Sequence, residues 1–234
     1  MVDFAELRRR MVENLVREGI IKSDEVRRAM LTVPREEFVW PNTKDKAYWD
    51  TPLPLGATGQ TISAPHMVAI MLEECELERG MRVLEIGAGS GYNAALIAEI
   101  VSPTGSKISG KVVTVDRVKD LVEFAKMNIK RTGYQDRVEV YLADGSLGYP
   151  EGCEEELYDR IMVTAASPKV PKMLKKQLKK GGVLLIPVGN IWAQSLVKLV
   201  KHEDGSFDEK YVCECVFVPL IGKDGYSEQM NEKQ

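Results

Sequence analysis

The strongest constraint in this chain is the turn Gly87-Ala88-Gly89-Ser90-Gly91, which follows the β-rich run Arg82–Ile86 and opens a helical pattern near 91–101. Glycines at alternate positions allow a tight reversal and let a ligand approach the backbone, because no Cβ stands in the way. Around that turn the residue pattern alternates. A helix is expected near 64–78, strands at 82–86 and 111–116, and a helix near 117–131. Strands at 137–142 and 159–164, a helix near 168–179, and strands at 183–188, 195–200 and 211–218 complete the series. Such alternation predicts an α/β fold with a doubly wound, mainly parallel sheet covered on both faces. The last three strands follow without a helix between them, and His202-Glu203-Asp204-Gly205-Ser206 reads as a turn, so that edge should be antiparallel.

Upstream, Phe4, Leu7, Met11 and Leu15 lie at helical spacing, and a second helix is expected to start at Ser23. Pro34 to Gly59 is an irregular, aromatic-bearing stretch with Phe38, Trp40, Tyr48 and Trp49, of a kind that lines grooves or packs locally. We therefore expect a single domain over 1–234, with 1–62 forming a helical cap and groove segment and 63–234 the α/β core. With 234 residues, 44% of them hydrophobic, the chain can bury one substantial core. Its longest apolar runs are strand-sized, so no membrane contact is expected, and the charged first twenty residues do not read as a secretory signal. A cytoplasmic protein is the expectation. Four cysteines without a C-x-x-C pair and two histidines make a poor disulfide or zinc framework, so no metal is expected. A net charge of -3 argues against nucleic acid as a partner. The lysines at 169, 172, 175, 176, 179 and 180 read as the solvated face of a helix.

In a doubly wound sheet the glycine turn lies at the carboxyl ends of the strands, where ligands bind. Asp116 closes the second strand, and a carboxylate there can accept both hydrogen bonds of a ribose diol, so a nucleoside-bearing cofactor is expected. Gly89 to Ala94 also fits the G-x-G-x-x-A form used for dinucleotides, so the glycines alone leave the nucleoside open. Ser63 reads as an N-cap, with Pro65 in the first turn and Val68, Met71, Leu72 and Cys75 on one apolar face. The resulting helix N-terminus suits a carboxylate. The Ser63 hydroxyl can serve that cap or a ligand, but not both fully.

The pattern Glu-x-Gly-x-Gly-x-Gly from Glu85 resembles the first motif of class I S-adenosylmethionine-dependent methyltransferases. Ala143-Asp144-Gly145 resembles their adenine-binding acidic turn, and an antiparallel edge suits their seven-stranded sheet. Further blocks are more specific: Val33-Pro34-Arg35-Glu36-Glu37-Phe38-Val39, Pro52-Leu53-Pro54-Leu55-Gly56, Gly59-Gln60-Thr61-Ile62-Ser63-Ala64-Pro65-His66-Met67 and Phe217-Val218-Pro219-Leu220. Together they resemble the protein-L-isoaspartate O-methyltransferase family over nearly the whole chain. The resemblance implies S-adenosyl-L-methionine as donor, S-adenosyl-L-homocysteine as product, no metal, and isoaspartyl carboxylates of damaged peptides and proteins as acceptors; a monomer is expected. It places Ser63 at the active site and Ile62, Ser63, His66, Glu85, Gly87, Gly89, Gly91, Asn93, Asp116, Arg117, Asp144 and Gly145 around the cofactor. Ala57, Thr58, Ser63, Val218 and Leu220 would border the peptide.

The chemistry that this implies is spare. A carboxyl of pKa about 4 is already an anionic nucleophile at neutral pH, so no general base is required and placement with partial desolvation is left to the protein. Thr164-Ala165-Ala166-Ser167-Pro168 lacks the Asp/Asn-Pro-Pro-aromatic sequence of enzymes that methylate bases. Two loops, Ser102 to Gly110 and Pro150 to Leu157, are longer than the family pattern. The competing readings are a class I methyltransferase with a small-molecule or nucleic-acid acceptor, and an NAD-dependent oxidoreductase.

Overall fold

The computed structural model describes residues 2–228. Helix α1 (Phe4–Arg17) starts where Asp3 accepts the Glu6 N–H at 3.0 Å, and α2 (Asp24–Thr32) starts where Ser23 Oγ accepts the Val26 N–H at 3.3 Å. Two short 3-10 turns over 35–37 and 41–46 lead into a ribbon of β1 (Leu53–Pro54) and β2 (Thr61–Ile62). The remaining elements are α3 (Pro65–Glu74), β3 (Arg82–Ile86), α4 (Tyr92–Val101), β4 (Lys111–Asp116), α5 (Lys119–Arg131) and β5 (Val138–Leu142). They continue with β6 (Tyr158–Val163), α6 (Lys172–Gln177), β7 (Leu178–Gly189), β8 (Gln194–Lys201) and β9 (Phe207–Cys215).

Seven strands form one sheet in the order β5-β4-β3-β6-β7-β8-β9, parallel from β5 through β7 and antiparallel across β7-β8 and β8-β9. The expected α/β architecture and antiparallel edge are both present. Strand order reverses at β3, whose neighbours β4 and β6 are reached in opposite directions, and a crevice opens at that switch point. Alternate strand residues feed two cores. Val83, Val112, Met162 and Leu185 pack toward α3, α4, α5 and the N-terminal helices, while Leu84, Val113, Ile161 and Leu184 face the side of α6. Met11, Val12 and Leu15 of α1 belong to the first core, so the N-terminal segment is continuous with it.

Several boundaries differ from expectation. The helix expected over 168–179 is confined to α6 because Pro171 delays its start, and Leu178 already pairs with Tyr158 in the sheet. Lys179 and Lys180 therefore lie on β7. The strand expected over 211–218 ends at Cys215, because Val218 and Leu220 pair instead with Ala166, at 2.8 and 2.7 Å. The aromatic stretch mostly packs rather than lining a groove: Phe38 meets Tyr92, Trp40 meets Phe124, and Tyr48 receives the Arg8 Nε hydrogen at 2.8 Å. Both lengthened loops precede strands of the parallel part, at the sheet end opposite the crevice. Glu154 and Glu156 are paired there with Lys176 and Lys201, away from the site.

Candidate active site

The glycine turn is held by its neighbours on both sides. Gly87 and Ala88 donate their N–H groups to Val115 O at 2.8 and 3.0 Å, and Thr164 Oγ1 donates to the Ile86 and Gly87 carbonyls at 3.0 and 2.9 Å. Gly87 has φ +100° and a Cβ there would stand 2.3 Å from Thr164 Oγ1, so backbone geometry and space both demand glycine. Gly89 donates to Asp116 Oδ2 at 3.0 Å, while Oδ1 accepts from Val118 N at 3.0 Å. Each oxygen keeps acceptor capacity beyond these bonds, and Asp116 lines the crevice. Burial raises the Asp116 carboxyl above its usual range, against the lowering effect of those N–H groups. Gly91 differs from its neighbours: its Cα faces Ile129 and Ala125 of α5, so it serves helix packing rather than the crevice.

Beyond the turn lies a cleft of about 770 Å³, its open mouth included, lined by Thr58, Gly87, Gly89, Asp116, Arg117, Gly145, Val218 and Leu220, with Val115, Val118 and Leu121 as apolar walls. A second hollow adjoins it at Thr61, Gly87, Gly89 and Thr164 and brings together Ile62, Ser63, Glu85 and Asn93. A third, wider groove shares Thr61, Ser63, Thr164 and Val218 with these and runs past His66, Met67, Ile191 and Val216. The three form one continuous system around Ser63 and Thr164.

Glu85 is fully buried between Thr114 Oγ1 at 2.5 Å and Asn93 Nδ2 at 2.8 Å, and burial pushes its carboxyl up to about 7. Asn93 Oδ1 is a buried acceptor with no partner among the described residues.

Ser63 does not cap α3. The residue at that position is Ala64, which makes no side-chain cap, and the work is done from a distance by Asp50, whose Oδ1 accepts the His66 N–H at 2.9 Å. Ser63 lies one residue before that position, and among the described residues no N–H of α3 donates to its hydroxyl. That hydroxyl makes no hydrogen bond among the described residues and lines the junction of the second and third hollows. His66 Nδ1 lies 2.9 Å from the same Asp50 oxygen, which orients the ring beside the groove.

Some expected residues stand elsewhere. Asp144 turns out of the main cleft: Oδ1 accepts from Ser146 N and Oγ at 2.9 and 2.7 Å, and Oδ2 accepts from Lys223 N at 2.8 Å. It lines an adjoining hollow with Arg117 and Tyr226, and Arg117 itself pairs with Glu228 at 2.5 Å. Ala57 is exposed in the turn between β1 and β2, and the Thr58 hydroxyl shapes that turn by donating to Leu55 O at 2.8 Å. Conversely, Asp50, Ile191 and Val216 enter the site with no local motif to mark them, since each arrives from a remote loop.

A family model described as protein-L-isoaspartate(D-aspartate) O-methyltransferase matches residues 6–225. A protein named protein-L-isoaspartate O-methyltransferase from Hyperthermus butylicus is 53% identical over 96% of this chain and 92% of its own length. One of the same name from Thermococcus sibiricus is 55% identical over 94% and 95%. A Plasmodium falciparum structure described as this enzyme in complex with S-adenosyl-L-homocysteine superposes with a TM-score of 0.80 at 32% identity, covering 94% of this chain and 99% of that one. Another structure titled protein-L-isoaspartate O-methyltransferase gives a TM-score of 0.80 at 34% identity, over 97% of this chain and 69% of that one. With its glycine cleft opening on the free hydroxyl of Ser63, and with these relatives along nearly its whole length, the chain belongs to the protein-L-isoaspartate O-methyltransferase family.

Proposed function

We propose that this protein transfers a methyl group from S-adenosyl-L-methionine to the free α-carboxylate of isoaspartyl residues in damaged proteins. The carrying observation is that the cleft at the glycine turn shares walls with a second hollow and a wider groove, and that the hollow and the groove meet at an unbonded serine hydroxyl beside a helix N-terminus. The residues present fit the donor. Asp116 has lone pairs left for a ribose diol, Gly145 lines the same cleft, and Val115, Val118, Leu121 and Leu220 offer apolar walls to a base. Asn93 Oδ1, held in place by Glu85, suits a positively charged amino group at the other end.

Bound S-adenosyl-L-methionine supplies an electrophilic methyl on a sulfonium. The chain's own residues have a modest task, because an ionised carboxylate needs no base. Ser63 Oγ donates to one carboxylate oxygen and orients the other, the α3 N-terminus favours the negative charge, and Ile62, Thr164 and Val218 exclude water around it. Ile62, Ser63, His66, Gly87, Gly89, Asn93, Asp116 and Gly145 are proposed cofactor contacts, and Thr58, Ser63, Val218 and Leu220 peptide contacts. Glu85, Gly91 and Asp144 support them by holding Asn93, α4 and the 145–147 turn in place.

The whole chain is proposed to work as one unit and as a monomer, with 1–62 closing the groove side. Four free cysteines suit a reducing compartment such as the cytoplasm. No helix among the described residues is long and apolar enough to cross a membrane, and none of their His, Cys, Asp and Glu side chains cluster in threes as a metal would need. The deciding experiment is labelled methyl transfer to paired peptides that differ only in Asp or isoAsp linkage. Base-labile ester should form on the isoAsp member alone; label on nitrogen, or equal label on both peptides, would overturn the reading.

A further inference from the structure

Arg35 lies wholly inside the protein on the 3-10 turn over 35–37, within the N-terminal segment. Its Nε donates to Ala47 O at 2.7 Å and its Nη2 donates to the main-chain carbonyl of Ser63 at 2.8 Å. The guanidinium centre stands 5.0 Å from the ring of Tyr92, the first residue of the helix that follows the glycine turn. Arg35 Nη1 and the Tyr92 hydroxyl are both buried without a partner among the described residues. Burial disfavours its charge, with Tyr92, Tyr48 and then Asp50 acting the other way, and Asp50 Oδ1 is engaged by His66. Arg35 is thus a buried cation bonded to carbonyl groups.

Holding a charge in the interior without a contacting counter-ion is costly, and an apolar side chain of similar size would fill the space at less cost. What the arginine provides that such a side chain cannot is a rigid fork reaching two segments at once and a permanent positive charge. The fork grips Ser63, and its face packs on Tyr92, so one guanidinium touches both the acceptor side and the cofactor side of the site. We propose that Arg35 is a positioning residue for methyl transfer, which fixes the Ser63 main chain and places a fixed positive charge behind the anionic acceptor; this rests on the function proposed above.

The test compares Arg35→Lys and Arg35→Met with the parent in steady-state methylation of an isoaspartyl peptide, alongside S-adenosyl-L-homocysteine binding by calorimetry and thermal melting. Arg35→Lys keeps a cation but loses the fork, so kcat should fall by about 10- to 100-fold with peptide KM little changed. Arg35→Met loses the charge as well, and peptide KM should rise by about tenfold in addition. Affinity for S-adenosyl-L-homocysteine should fall by less than kcat does in both, since Arg35 lines no part of the nucleoside cleft and reaches the cofactor side only through Tyr92 and the Ser63 main chain. Variants that melt earlier while keeping the parent's kcat and peptide KM would show a merely structural arginine and overturn the proposal. If Arg35→Met does not fold, the split between kcat and melting temperature in Arg35→Lys decides alone. A parent that fails to methylate the isoaspartyl peptide overturns the functional reading first, and this inference with it.

Discussion

At the scale of single residues, Ser63 and Glu85 show how burial and bonding assign roles that residue type leaves open. Because the Ser63 hydroxyl bonds nothing in the described chain, Ser63→Ala should leave the melting temperature unchanged. It should lower kcat/KM for an isoaspartyl peptide by about 10- to 100-fold, the worth of one hydrogen bond to a charged group. A cap would behave the other way, losing stability and keeping turnover. Glu85 makes a pH prediction. Its carboxyl titrates near 7 in the folded chain against 4.5 when unfolded, so between those values the native state holds a proton that the unfolded chain releases. Stability contributed by Glu85 is therefore greatest below the unfolded value and is lost as pH rises through the folded one, by at most about 3 kcal/mol. Glu85→Gln cannot ionise, so its melting temperature should gain on the parent's between about pH 5 and about pH 8 in ligand-free protein. Parallel melting curves across that range would refute the burial account.

Among elements, α3 is the one whose placement matters most, since its first turn borders both groove and cofactor hollow. The sequence marks its apolar face and its proline correctly, yet the anchor at its N-terminus comes from Asp50 in a preceding loop. Asp50→Ala should cost about 1 kcal/mol in denaturant melts, the usual worth of a helix cap, and release the His66 ring. An unchanged midpoint would mean that water replaces the carboxylate without loss. The shortened α6 teaches the complementary lesson: helix-like spacing of Val170, Met173, Leu174 and Leu178 coexists with strand pairing of Leu178, because the sheet offers Tyr158 a hydrogen-bonded neighbour. Periodicity reports which side is buried, and pairing partners decide the boundary.

For the molecule as a whole, the cleft should act as a folded-state ligand site. S-adenosyl-L-homocysteine at about 100 times its Kd should stabilise the protein by about 2.7 kcal/mol, a melting shift of about 5 to 10 °C, whereas NAD at equal concentration should give none. An equal shift with NAD would favour the dinucleotide alternative. The sequence by itself determined the α/β alternation, the seven strands, the antiparallel edge and the glycine turn, because hydrophobic period and the absence of Cβ atoms are local properties written residue by residue. It also carried the family blocks that point to Ser63. Only the tertiary structure decided that Ser63 is free of its helix, that Asp50 reaches His66 and Arg35 reaches Ser63 from the N-terminal segment, that Asp144 and Gly91 face away from the main cleft, and that Ile191 and Val216 join the groove. Those assignments depend on which remote groups come within hydrogen-bond reach once two cores have formed on opposite faces of one sheet, and no local spacing encodes that distance.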